Sequence, residues 1–182
     1  MIKGICLLAD GFEETEAIST HDILARTGRI GLEMVSCNKT LEVESSLGLT
    51  IKVAKRLEEV RLEDYDFAFL PGGKRGVDNL ASNQTSMAAI KAFIAADKPV
   101  YAICAAPSIL GELGYYEGKR YTCFPGFQRG KGTYVDAGSV IDGKTITGRS
   151  MHFTIEFAEN IVKSLLGEEA LQSIAPGTRG LR

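Results

Sequence analysis

Tryptophan is absent, histidine occurs only at His21 and His152, and cysteine only at Cys6, Cys37, Cys104 and Cys123. Two histidines limit any imidazole-based mechanism to two candidates. No two cysteines have C-x-x-C spacing, so neither a zinc site nor a thioredoxin-type motif is indicated, and no metal is expected. Basic charge is not in excess. Lys and Arg number 21 against 23 Asp and Glu, a formal net charge of −2, and no basic stripe marks a nucleic-acid surface. No apolar run approaches the length that spans a bilayer. The N-terminal "MIKGICLLADGFEE" breaks at acids and has no small-residue cleavage site, so it does not read as a signal peptide. The cytoplasm is therefore the expected compartment, with all four cysteines as free thiols.

What is present fits one domain over residues 1–182, with 45% hydrophobic and 24% charged residues, the balance of a soluble globular protein. Strand-like and helix-like segments alternate. "IKGICLLA" (2–9) reads as a buried strand and residues 13–28 as a helix, with Asp10 and Glu13 as a capping box and Gly28 as the stop. "GLEMVSC" (31–37) is a second strand, and "LEVES" and "LTIKVA" form a short hairpin or excursion. "DFAFLPGG" (66–73) and "PVYAIC" (99–104) are strands, each closing on a turn. "TSMAAIKAFIAAD" (85–97) and "FTIEFAENIVKSLLG" (153–167) are helices, "AAPSILGEL" is a short one, and the tail "IAPGTRGLR" reads as irregular. Short strands fill 119–150, with Asp142-Gly143 as a hairpin signal. The pattern predicts an α/β fold with a mainly parallel sheet and helices on both faces. In such a sheet the turns at Asp10–Glu16, Pro71–Gly76 and Cys104–Pro107 meet at the carboxyl edge, where ligands bind. The turn at Gly148–Phe153 is a candidate fourth member.

Cys104 follows a strand and opens a helix, the setting of a nucleophile elbow. A thiol at a helix N-terminus is expected to favour thiolate, the reactive form. The competing reading is a buried cysteine that only packs. Gly72 and Gly73 are either a tight turn or a source of outward N–H groups for an oxyanion, with Ala105 as a further donor. Glu16 shares a helical face with Thr20, Ile23, Leu24 and Thr27, so it points toward the core. Glu13 is its rival, and Glu14 is rotated away. An inward carboxyl needs a partner; if that partner is the Cys104 thiol, the carboxyl holds the proton while the sulfur is thiolate. His152 lies at the same edge, either as a second catalytic group or as an ordinary helix-end histidine. Arg26 is an exposed charge, a cap or an interface residue.

Taken together, "LLADGFEETEA", "DFAFLPGGKRGVDNL", "VYAICAAP" and "GRSMHFTIEFA" resemble the ThiJ/PfpI superfamily, in the branch of the parkinsonism-associated protein deglycase. The resemblance runs along nearly the whole chain. It implies a flavodoxin-like three-layer sandwich, usually a homodimer packed partly through the first helix. It further implies that Cys104 is the reactive cysteine and Glu16 its hydrogen-bonding acid, with Gly72 and Gly73 as backbone donors and Arg26 near the dimer interface. No cofactor is implied. Activities in the family include conversion of methylglyoxal to lactate and removal of early glycation adducts, and redox-sensing and chaperone roles are also attributed to it.

Two departures stand out. Relatives in this branch often carry a histidine in the region matching "TCFPGF", where this chain has Phe124. Where relatives read Gly-Pro-Gly, this chain reads Ser150-Met151-His152, so His152 is a candidate replacement. Two functions follow as expectations: a Cys104/Glu16-dependent glyoxalase or deglycase acting on reactive carbonyls, or a stress sensor in which Cys104 is oxidised to sulfinic acid.

Overall fold

The computed structural model describes residues 1–181. In chain order the elements are β1 (Ile2–Leu8), α1 (Glu14–Arg26), β2 (Ile30–Ser36), β3 (Glu42–Glu44), β4 (Thr50–Lys52), β5 (Lys55–Arg56), β6 (Phe67–Leu70), α2 (Lys74–Ser82) and α3 (Gln84–Ala95). They continue with β7 (Val100–Ile103), α4 (Pro107–Glu112), β8 (Arg120–Tyr121), β9 (Thr133–Tyr134), β10 (Ser139–Asp142), β11 (Thr145–Gly148), α5 (Thr154–Leu166) and α6 (Glu168–Arg179). Seven strands make the main sheet in the order β10-β11-β7-β6-β1-β2-β5. All its pairings are parallel except the hairpin β10–β11.

Period-two alternation sorts the core into two layers. Ile5 and Leu7, Ala68 and Leu70, and Val100 and Ala102 face α2, α3 and α4. Cys6 and Leu8, Phe67 and Phe69, and Tyr101 and Ile103 face α1, α5 and α6. The strands are apolar on both sides because helices cover both sides. The result is the expected three-layer sandwich, and β3–β4 forms the expected antiparallel excursion.

Three local readings need correction. Asp10 does not cap α1, because Gly11 and Phe12 separate it from the helix. Glu13 is the cap, accepting from Glu16 N–H at 2.7 Å. The Asp10 carboxylate instead accepts from Asn38 Nδ2 at 2.8 Å and Glu44 N–H at 2.9 Å. The tail is helical as far as Arg179, and Arg182 lies outside the described residues. α6 runs through Pro176, with Ile174 buried in the second layer. α2, whose Val77 and Leu80 are buried, was not anticipated; the Gly-Gly turn before it is its start.

Candidate functional site at the carboxyl edge

β7 ends at Ile103, and Cys104 turns the chain with φ 63°. Left-handed backbone is costly for a residue with a Cβ, by about 1–2 kcal/mol, and clusters at working sites. Two backbone bonds hold the turn: Cys104 N–H donates to Gly148 O at 2.9 Å, and Phe124 N–H donates to Cys104 O at 2.7 Å. Ala105 and Ala106 are buried and small enough to close it. Pro107 then begins α4, where its missing N–H is no loss.

Glu16 is fully buried in the first turn of α1. Its Oε2 accepts from Gly72 N–H at 2.6 Å, while Oε1 is buried without a hydrogen-bond partner. The carboxyl lies beside the Cys104 thiol across Gly72. Gly72 sits between the two groups: a Cβ there would lie 2.6 Å from Cys104 Cβ, 2.7 Å from Glu16 Oε2 and 3.1 Å from Cys104 Sγ. Only glycine fits that approach. Gly73 has φ 85° and is the N-cap of α2.

The electrostatics follow from burial. Desolvation raises Glu16 from 4.5 to about 8, with the Gly72 N–H pulling the other way. At neutral pH the carboxyl therefore carries its proton, which suits an oxygen with no donor facing it. The expectation that a helix N-terminus lowers the Cys104 pKa is not met. Desolvation first, and then the Glu16 charge, push the thiol up; the Gly73 and Ala105 N–H groups pull it down. α4 is only six residues long and starts three residues later, so its dipole reaches the sulfur weakly. The two groups titrate as a pair, and each is easier to ionise while the other stays neutral.

The remaining candidates divide. The Gly73 and Ala105 N–H groups pull the Cys104 pKa down, whereas the Gly72 N–H is taken by Glu16. Glu13 caps α1 and Glu14 receives Ser46 Oγ at 3.3 Å. His152 is exposed on a single 3-10 turn (Met151–Phe153) with its ring edge-on to Phe153, 5.0 Å away. Arg26 is exposed and paired with Asp22 at 2.6 Å. Cys6, Cys37 and Cys123 are buried, and burial raises Cys37 and Cys123 to about 11. Phe124 lies beside the elbow, where the sequence departure placed it, but its backbone contact with Cys104 is tertiary and invisible in one dimension.

The sequence model of the DJ-1/PfpI family matches residues 3–164. Protein DJ-1 homolog B of Arabidopsis thaliana is 32% identical over 89% of this chain, which spans 37% of that longer protein. A deglycase of Pyrococcus abyssi is 32% identical over 81% of this chain and 90% of its own length. A crystal structure of a DJ-1 superfamily protein of Salmonella typhimurium superposes with a TM-score of 0.91 at 35% identity, covering 98% of both chains. With its flavodoxin-like sandwich and its match over most of its length, this chain belongs to the DJ-1/PfpI family.

Proposed function

We propose that this chain is a cofactor-independent, stress-protective enzyme that converts small reactive carbonyls, such as methylglyoxal, or glycated adducts, through Cys104 and Glu16. The observation that carries this reading is a buried carboxyl with one unpartnered oxygen, set across Gly72 from the only thiol of the four that is not buried. A relative named a deglycase supports the class. In the proposed cycle the Cys104 sulfur adds to the aldehyde carbon. The thiol proton leaves to solvent as the C–S bond forms, the C=O π pair moves to oxygen, and Glu16 supplies the proton which that oxygen takes up. Gly73 and Ala105 N–H groups hold the developing oxyanion. Glu16, now carboxylate, takes the proton from the former aldehyde carbon and returns it to the neighbouring carbon, while the hydroxyl proton on the first carbon moves to the neighbouring oxygen, leaving a lactoyl thioester. Water cleaves that thioester to lactate and restores the thiol, so no oxidant or reductant is consumed.

A second reading rests on the same exposure. Cys104 is the one thiol that peroxide can reach directly, and two equivalents would carry it to sulfinate, each losing one oxygen and leaving as water. Purified protein and the variants Cys104→Ser and Glu16→Gln, incubated with methylglyoxal and assayed for lactate, separate the two. Lactate that disappears in both variants supports the enzyme. Addition of two oxygens at Cys104 without turnover, read by intact mass during peroxide titration, supports the sensor and overturns the enzyme.

A further inference from the structure

The carbonyl of Cys104 is held by the first residue of a braced aromatic turn. Phe124 N–H donates to it at 2.7 Å, which ties the two residues together through the backbone. The segment Phe124-Pro125-Gly126-Phe127 then closes on itself, with Phe127 N–H donating to Phe124 O at 3.0 Å and Gly126 at φ 91°. Proline second and a left-handed glycine third are the marks of a type II turn. The Gln128 side chain accepts from Gly126 N–H at 2.9 Å, and Arg129 Nη1 donates to Gly126 O at 3.2 Å. The two phenyl rings meet edge to face, with centroids 6.2 Å apart and planes at 77°. Phe127 is half-buried against the core, and Phe124 remains 44% exposed.

A single exposed apolar side chain needs no explanation. This one is different because it is fixed in place, paired with a second ring and tied to the reactive turn. The opposite flank of the elbow carries one exposed apolar side chain. Cys104 N–H donates to Gly148 O, and the turn that follows exposes Met151. Phe124 is thus an exposed aromatic side chain whose own backbone is bonded to the residue that carries the reactive sulfur. We infer that Phe124, steadied by Phe127, is a specificity-determining wall that favours α-oxoaldehydes bearing a flat apolar substituent over those bearing a methyl group. The inference rests on the carbonyl-converting reading above and names the substrate class within it. Ring-on-ring contact of this kind is worth about 0.5–1.5 kcal/mol, which is roughly a two- to twelvefold preference.

The test compares kcat/KM for phenylglyoxal and for methylglyoxal in the wild type, Phe124→Ala and Phe124→Leu. The expected result is a phenylglyoxal-to-methylglyoxal ratio that falls about two- to twelvefold in both variants, because leucine keeps apolar bulk but not the flat ring. A ratio unchanged in both overturns the inference. A parallel measurement follows alkylation of Cys104 by phenacyl bromide and by iodoacetamide, in which the sulfur displaces bromide or iodide and no turnover is needed. If the wild type converts neither glyoxal, the carbonyl-converting reading fails, and the wall is judged on alkylation alone. A phenacyl-to-acetamide rate ratio that drops in Phe124→Ala upholds the aromatic wall; an equal ratio overturns it.

Discussion

A carboxyl buried as deeply as Glu16 holds a proton that the unfolded chain has already released. Desolvation lifts it from 4.5 to about 8, so between those values the native state binds more protons than the unfolded state. Stability contributed by this group is therefore fully present below about pH 4.5 and is lost as pH rises toward 8. The slope is at most about 1.4 kcal/mol per pH unit for one proton. Glutamine keeps the shape and cannot ionise, so Glu16→Gln is expected to gain on the wild type as pH rises from 5 to 8. Urea midpoints taken across that range measure it, and parallel pH curves for the two proteins would refute the assignment. The inward direction of Glu16 was legible from its helical spacing with Ile23 and Leu24, since one face of α1 must enter the core. Its contact with Gly72 was not, because a backbone passing within van der Waals distance of Cys104 is a tertiary fact.

Elements with a strong periodic signal emerged where the pattern placed them, and those whose signal was overridden did not. α5 buries Phe157, Ala158, Ile161 and Val162, the stripe that its spacing shows. α6 was hidden because Pro176 and Gly177 are breakers in isolation. Here the proline sits in the later turns of a helix that is also anchored by Ile174, 7% exposed, against the layer beneath α1 and α5. The final turn is stabilised by Gly180, whose left-handed φ of 64° lets its N–H reach Pro176 O. A helix interrupted by proline depends on its tertiary anchor more than on its own ladder. Ile174→Ala is thus expected to destabilise the protein by about 2–4 kcal/mol. It should also release α6 first, which hydrogen exchange reads as faster exchange confined to 168–179. A variant that matches the wild type in both measurements would mean that α6 packs by other contacts.

At the scale of the whole molecule, one sheet separates two apolar layers and Cys104 packs against both. That the strands are apolar on both faces was readable from runs such as "FAFL" and "VYAI"; which strand neighbours which was not, because pairing between distant segments leaves no local mark. The layers share every central strand, so neither can lose its packing while the sheet survives. The buried thiols supply a probe on each side, with Cys6 in the α1/α5 layer and Cys37 and Cys123 in the α2/α3/α4 layer. A disulfide-exchange reagent is expected to count one thiol, Cys104, in the native protein and four after denaturation. Along a urea titration the three buried thiols should become reactive with one midpoint, coincident with loss of far-UV circular dichroism, as a single cooperative unit requires. Exposure of Cys6 at a different urea concentration from Cys37 and Cys123 would show that the two sides of the sheet unfold separately. The reactive elbow would then be joined to only one of them.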